Sequence, residues 1–262
     1  MAKFHYDLTG AEPIIRDYRI YDSAALAQGE FLQLGTTDPD SNADMSLALI
    51  TGYNATAANT CIDAVGILNE NTFATTVPST APDSAPTFGK VICNPFAVYL
   101  TEQSLAAADD VAITSTSTTT LTVPSLADDI DGYWAYFPLT ASGVKGSLRL
   151  ITASASGSCT MDSALTTTGN GSDTVVLISP EMKYSFNLEA AATKVSSSNC
   201  QAANEATNIR ILQTYIDRDL GLEVMRPATH LALNNLDTVK GGTGPRFYYD
   251  LLLKDHIFGV QE

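Results

Sequence analysis

Short apolar segments separated by turn-forming residues recur along the chain, and this pattern constrains the fold more than any other feature. In the first half of the sequence these segments cover 30–34, 45–51, 62–68, 90–92 and 97–101. Apolar runs of this length, bounded by Gly, Pro, Asn and Asp, are typical of β-strands. Several short strands at close spacing predict a small β-barrel or a sandwich.

A second group of apolar segments begins near Val111. It covers 119–123, 133–139, 147–153, 158–162 and 174–179, with turns expected at 141–146 and 169–172. Ser and Thr are frequent here, as in the run at 114–122. Because Thr is β-branched, such runs favour extended chain over helix. We therefore expect a second β domain or an insertion.

The C-terminal part carries one ambiguous pattern and one clear pattern. Residues 201–217 fit a helix, with helical spacing at Ile209, Leu212 and Ile216. The same stretch also fits one face of a strand formed by Ile209, Ile211, Gln213 and Tyr215. Near the end, apolar residues recur with a period of two, at Phe247, Tyr249, Leu251 and Leu253. This alternation predicts a strand with one buried face.

These patterns predict a mainly β fold, with one or more small barrel or sandwich domains, long loops and an extended N-terminal arm. We divide the chain into an arm at 1–22, a barrel-like domain at 23–110 and a second β domain or insertion at 111–190. The remainder, 191–262, holds the possible helix and the terminal strand. Three prolines in the stretch 72–86 exclude a regular strand ladder there, so a long exposed loop is expected.

Composition excludes several classes of function. Only 16% of the residues are charged, below the roughly 25% of an ordinary soluble domain, and the formal net charge is -15. An acidic surface repels phosphate, so nucleic-acid binding is not expected. No run of about 18 apolar residues occurs, and the first residues lack the apolar stretch of a signal peptide. We therefore expect a soluble, cytoplasmically made protein that does not bind membranes.

The strongest candidate metal site is the acidic stretch at 38–44. Its oxygen ligands alternate as at the start of an EF-hand calcium loop: Asp38, Asp40, Asn42 and Asp44. Ala43 stands where that loop needs Gly, however, and Leu49 stands where it needs a bidentate Glu. The stretch is therefore better explained as a turn rich in Asp and Asn.

Other candidate sites are incomplete as well. Asp128, Asp129 and Asp131 are best explained as a solvated acidic cluster. The glycine-rich stretch at 241–245 lacks the Lys-Ser/Thr of a phosphate loop and is interpreted as a hairpin connection. The cysteines stand too far apart for a zinc site and are expected to be buried: Cys61, Cys93, Cys159 and Cys200. The histidines fit no catalytic motif: His5, His230 and His256.

We therefore predict no catalytic residue, no metal or cofactor site, and no enzymatic activity. Four aromatic residues on one expected strand are attributed to core packing or to a subunit interface rather than to a sugar-binding platform. They are Tyr133, Trp134, Tyr136 and Phe137.

Two groups of residues resemble structural proteins of tailed bacteriophages. Residues 22–69 resemble the small β-barrel of capsid decoration (cement) proteins: Ala27-Gln28-Gly29-Glu30-Phe31-Leu32 matches the strand that opens that barrel, and Asp63-Ala64-Val65-Gly66-Ile67-Leu68 matches the strand that closes it. A later stretch is similar to a β module of phage virion and neck proteins, through Asp131-Gly132-Tyr133, Gly143, Gly146 and 149–152.

The resemblance implies a structural role on the virion. Decoration proteins assemble in the host cytoplasm, bind the major capsid protein on the capsid surface and are often homotrimers. They carry no catalytic residues and stabilise the head by adhesion. The alternative that the resemblance leaves open is a tail, neck or receptor-binding component of the same kind of particle.

Overall fold

The structure is a computed structural model that describes residues 1–20, 26–34, 46–49, 64–71, 87–105, 111–113, 115–123, 130–138, 146–168, 174–180, 194–195, 209–218, 221–226, 244–253 and 256. Its strands, in chain order, are β1 (Lys3–Asp7), β2 (Ile15–Ile20), β3 (Phe31–Leu34), β4 (Ser46–Leu49), β5 (Ala64–Leu68), β6 (Thr87–Ile92), β7 (Ala97–Gln103), β8 (Val111–Ala112), β9 (Ser115–Thr116), β10 (Thr120–Thr122), β11 (Trp134–Tyr136), β12 (Leu148–Ala155), β13 (Ser158–Met161), β14 (Thr174–Ile178), β15 (Lys194–Val195), β16 (Ile209–Asp217), β17 (Leu222–Val224) and β18 (Arg246–Leu253). The described residues form strands and no helix, which confirms the predicted mainly β fold.

Five strands close into a small barrel in the order β2-β4-β3-β5-β6. All neighbouring strands are antiparallel except β2 and β4, which run parallel. A separate apolar cluster packs together in this region, formed by Leu26, Leu32, Val65, Leu68, Val91 and Cys93, with Tyr18 against it. The predicted strands at 30–34, 45–51, 62–68 and 90–92 are confirmed as β3, β4, β5 and β6.

Gly66 allows β5 and β6 to approach each other closely. It has a φ of +147°, and a Cβ atom built on it would lie 1.9 Å from the backbone oxygen of Ile92. The hydroxyl of Tyr99 lies close on the same side and donates to that oxygen at 3.3 Å. Any larger residue at this position would therefore force the barrel wall apart.

A second sheet has the order β1-β7-β18-β16-β17, and β15 also pairs with β7. We call it the central sheet. It joins the N-terminal strand, the strand that follows the barrel and the C-terminal strand, which are far apart in sequence. The predicted strand at 97–101 is confirmed as β7, and the terminal strand is confirmed as β18. Between Tyr249 and Leu253, β18 is buried on both faces rather than on one.

A third sheet has the order β8-β14-β11-β12-β13-β10-β9 and is antiparallel throughout. It contains the strands predicted between 119 and 179. The four aromatic residues at 133–137 are buried in it, so their expected role in core packing is confirmed.

One large apolar core joins the three sheets. The rings of Phe31 in the barrel and Tyr99 in the central sheet meet edge to face, with centroids 5.7 Å apart. The rings of Tyr136 in the third sheet and Phe247 in the central sheet lie 5.3 Å apart. The central sheet therefore packs against both of its neighbours, since aromatic pairs at these distances are in contact.

The helix considered at 201–217 is not formed over residues 209–217, which are strand β16; residues 201–208 lie outside the described residues. A β-bulge between Ile211 and Gln213 explains the ambiguous pattern. Before it the buried residues are Ile209 and Ile211, and after it they are Thr214 and Ile216. The bulge shifts the alternation by one residue and leaves apolar spacings that resemble a helix.

Residues 1–20, which belong to the predicted N-terminal arm at 1–22, form two strands that pair within the chain. The segment is extended, as expected, but β1 pairs with β7 and β2 closes the barrel against β6 and β4. Most residues of β1 are exposed or half-buried, because it lies at an edge of the central sheet. This exposure explains why its sequence lacks the apolar alternation of an internal strand.

The predicted domain limits stay predictions. The barrel strands lie between 15 and 92, and the third sheet lies between 111 and 178. The central sheet combines strands from both ends of the chain. The expected loop at 72–86 and most of the expected turn residues at 141–146 and 169–172 lie outside the described residues.

Candidate functional site

An exposed apolar patch surrounds the turn that connects β6 to β7. It consists of Leu8, Ile14, Ile15 and Phe96, whose exposed fractions lie between 37% and 51%. The backbone N–H of Leu8 donates to the carbonyl oxygen of Phe96 at 3.1 Å. The N–H of Cys93 donates to the carbonyl oxygen of Ile14 at 3.0 Å. These bonds hold three separate stretches of chain side by side and bring together the backbone segments that carry the four exposed side chains.

The buried amide of Asn94 fixes this apolar patch from below. Its Nδ2 donates to the Asp7 carboxylate at 3.1 Å and to the carbonyl oxygen of Glu12 at 3.0 Å. Its Oδ1 accepts a hydrogen bond from the backbone N–H of Ile14. One side chain thus ties the end of β1 and the connection to β2 onto the turn after β6. The patch is held in a defined shape before any partner arrives.

The Asp7 carboxylate completes this network. It is buried, and it accepts hydrogen bonds from the backbone N–H and the hydroxyl of Thr9 as well as from Asn94. Burial alone raises the pKa of Asp7, but these hydrogen bonds outweigh that effect and hold the pKa below its usual value. Asp7 is therefore ionised at neutral pH and acts as an acceptor.

A second polar cluster is centred on Asp250, whose side chain is only 1% exposed. Its Oδ1 lies 2.7 Å from Nδ1 of His5, and its Oδ2 accepts a hydrogen bond from the Tyr215 hydroxyl at 2.7 Å. The ring of Tyr6 lies next to His5, with centroids 5.2 Å apart. The cluster therefore connects β1, β16 and β18 across the central sheet.

The chemistry of the Asp250 cluster suits a structural connection. Burial and the Asp250 carboxylate raise the pKa of the Tyr215 hydroxyl, and the same two causes raise the pKa of Tyr6. Both phenols stay protonated at neutral pH and donate hydrogen bonds, so neither can act as a base there. The cluster holds edge strand β1 in register with the sheet.

A cleft of about 550 Å³ opens between the central sheet and the third sheet. Its walls are formed by Gly132, Trp134, Leu150, Pro180, Gln213, Val224, Met225 and Arg226. Trp134 is 2% exposed and sits between β12 and β14, opposite Leu150 and Ile178. Arg226 is exposed. The cleft thus combines apolar walls with a cation near its opening.

Most of the candidate site residues named from the sequence belong neither to the apolar patch, nor to the Asp250 cluster, nor to the cleft. The following candidates lie outside the described residues: Asp38, Asp40, Asn42, Asp44, Asp128, Asp129, His230, Cys61, Cys200 and 241–243. Asp131 accepts a hydrogen bond from the Ser154 hydroxyl at 2.8 Å. Cys93 and Cys159 are buried free thiols, as expected for small apolar side chains, and burial raises the pKa of Cys159 to about 11. His256 is buried, with Nε2 2.7 Å from the carbonyl oxygen of Val65.

Sequence reasoning missed Asn94, Asp250 and Gln213. No motif surrounds them: Asn94 and Asp250 act through partners distant in sequence, and Gln213 is notable only for its place in the wall of the cleft. For the apolar patch a weak signal existed, because Leu8, Ile14 and Ile15 are apolar residues within a polar N-terminal stretch.

No protein-family model matches the chain, and neither the curated proteins nor the solved structures include a match. Among the residues that the structure describes, no group of three or more His, Cys, Asp or Glu side chains is arranged to hold a metal ion. Over the same residues, no helix is long and apolar enough to span a membrane.

Proposed function

We propose that this chain is a capsid decoration (cement) protein of a tailed bacteriophage, which binds the major capsid protein on the capsid lattice and stabilises the head. The observation that carries the proposal is the exposed apolar patch of Leu8, Ile14, Ile15 and Phe96, held in shape by the buried Asn94. Exposed apolar clusters are typical of surfaces that bind other proteins.

The rigidity of the patch supports an adhesive role. A surface that already has its bound shape loses little conformational entropy on association. Five hydrogen bonds to the side chains of Asn94 and Asp7 fix the chain beneath the patch. Only 16% of the residues are charged, and a surface with few charges loses little free energy when it is desolvated on binding.

A surface of this kind can stabilise a particle by binding alone, without a catalysed reaction. A stable protein interface buries about 1,600 Å² in total, and the patch would form the apolar centre of one. Many copies on one shell then convert a modest affinity per copy into strong reinforcement. We propose that the chain acts as a homotrimer on the virion, since closed symmetry is the usual state of homo-oligomers. It assembles onto the head in the host cytoplasm.

A tail, neck or receptor-binding component remains the alternative function. Such a protein would share the Ser- and Thr-rich β character. A sugar platform built from residues 133–137 is not favoured, because those aromatic side chains are buried in the third sheet. The two roles differ in the position of the chain on the particle.

A binding experiment with matched variants tests the proposed function. Phage heads that lack the protein are mixed with the wild-type chain, with the double variant Leu8→Ser/Phe96→Ser, or with Leu222→Ser, and are then sedimented. Leu222 is also exposed, at 43%, but it lies on β17, four strands from β1 in the central sheet. Four spacings between neighbouring strands correspond to about 19 Å.

The double variant is expected to bind heads at least about tenfold more weakly, because it removes two apolar anchors from the centre of the interface. The Leu222 variant should bind as the wild-type chain does. Both should retain the fold by circular dichroism, since all three side chains are exposed. Equal binding by the double variant and the wild-type chain would contradict the proposal.

A further inference from the structure

Two buried hydrogen-bond donors lie in the wall of the cleft between the central and third sheets. The indole Nε1 of Trp134 and the amide Nε2 of Gln213 have no hydrogen-bond partner among the residues that the structure describes, and both residues line the cleft. An unsatisfied buried donor costs about 1–3 kcal/mol. Two of them beside one cavity mark a place where an acceptor is missing.

The local backbone presents Gln213 to this cleft. Gln213 follows the β-bulge in β16 and pairs with Asp250 of β18. Bulges commonly redirect a side chain next to a binding site. The carbonyl oxygen of the next residue, Thr214, accepts a hydrogen bond from the N–H of Met225 at 2.8 Å. This bond fixes the stretch that carries Val224, Met225 and Arg226 along the same cleft.

We propose that the cleft binds a small organic carboxylate with an apolar body. The carboxylate would accept hydrogen bonds from Trp134 and Gln213 and would lie near the guanidinium of Arg226. The apolar body would contact Leu150, Pro180 and Val224. This binding site is independent of the apolar patch and goes beyond the proposed capsid role.

The chemistry of the walls selects this ligand class. Both unsatisfied groups are donors, so the ligand must supply acceptors. Arg226 adds a positive charge at a cleft in a chain whose formal net charge is -15, which favours an anionic acceptor at this position. The predominantly apolar walls favour a hydrocarbon body over a sugar, whose many hydroxyls would lose hydrogen bonds to water. A cavity of about 550 Å³ has room for such a molecule.

The test uses the fact that the chain contains one Trp. Full-length protein is titrated with hexanoate, and in parallel with 1-hexanol and hexylammonium, which share the hydrocarbon body but differ in the head group. Binding is followed by intrinsic fluorescence and by the single indole N–H signal in an ¹H–¹⁵N correlation spectrum. A hydrogen bond to Nε1 should move that indole proton downfield.

Variants separate the carboxylate site from simple apolar binding. Arg226→Gln removes the cation, and Gln213→Glu replaces the donor with a carboxylate that repels the ligand. Both should weaken hexanoate binding by about tenfold or more, because charge-assisted hydrogen bonds are lost. Arg16→Gln, which changes an exposed arginine of the barrel strand β2, is the matched control and should bind normally.

The expected result is saturable binding of hexanoate, a downfield shift of the indole signal, and at least about tenfold weaker binding of hexanol and hexylammonium. Equal binding of all three compounds would overturn the carboxylate assignment. No saturable change with hexanoate, or an unchanged affinity in both cleft variants, would overturn the proposed site. Neither result bears on the binding of phage heads.

Discussion

The side-chain amide of Asn94 donates to the carboxylate of Asp7 at 3.1 Å, although 87 positions separate the two residues. Both groups are buried, and both lie beneath the apolar patch. This contact connects the edge strand of the central sheet with the turn that leaves the barrel. The proposed binding surface therefore depends on a polar network whose two central side chains are buried.

Replacing Asn94 with Ala should lower the free energy of unfolding by about 2 kcal/mol or more, because the variant leaves the buried Asp7 carboxylate and the Glu12 carbonyl oxygen without this donor. Urea unfolding measures this loss. Asn71→Ala is the matched control: Asn71 is exposed and accepts one hydrogen bond, from the N–H of Gln28. Its cost should stay below about 1 kcal/mol. Equal effects of the two substitutions would contradict the role of Asn94.

Replacing Gly66 with Ala should destabilise the barrel by at least about 2 kcal/mol, because the new Cβ would collide with the backbone of Ile92. Gly221→Ala is the control that measures the cost of backbone strain without a collision. Gly221 has a φ of +97°, but no atom of the described residues lies within 4 Å of a Cβ built on it, so its cost should be about 1 kcal/mol. Thermal unfolding of both variants gives the comparison. A Gly66 variant as stable as the Gly221 variant would refute the close approach of β5 and β6.

Stability should fall as the pH is lowered through about 6.5, partly because of His256. Burial lowers the pKa of His256 below 6.5, although its hydrogen bond with Val65 opposes this effect. The unfolded chain therefore takes up the proton at a higher pH than the folded chain, and protonation favours unfolding. Urea unfolding of the wild-type chain and of His256→Gln between about pH 5 and pH 8 tests this. The variant should lose part of the pH dependence, and identical slopes would contradict the assignment.

Deleting residues 1–20 should unfold the barrel and the adjacent part of the central sheet. The deletion removes β1 from the edge of β7 and removes β2 from the closed barrel, which then has two unpaired edges. Circular dichroism and hydrogen exchange of the truncated chain measure the result. A truncated chain that keeps the native spectrum and protection would contradict the contribution of β1 and β2 to the two sheets.

The sequence predicted the fold class and many strands because their apolar residues are close together along the chain. Strand β18 shows the clearest case, since Phe247, Tyr249, Leu251 and Leu253 all pack into the main core. Strand β1 could not be recognised, because it is mostly exposed and gains its strand pairing from β7, ninety or more positions away. The bulge in β16 obscured its alternation in the same way.

The candidate sites were less predictable than the fold. Asn94, Asp7 and Asp250 act through partners that only the folded chain brings together, as in the contact of His5 with Asp250 across 245 positions. The acidic motifs visible in the sequence lie mainly outside the described residues. The spacing of residues along the sequence can indicate a site whose ligands share one loop. It cannot indicate these networks, because their members lie on separate strands.

Cryo-electron microscopy of the intact particle would show directly where the chain lies on it. We expect density for this chain on the outer capsid surface, in contact with the major capsid protein, with Leu8 and Phe96 buried in that contact. Density for the chain at the neck or tail, or a capsid-bound chain whose apolar patch faces solvent, would refute the proposed function.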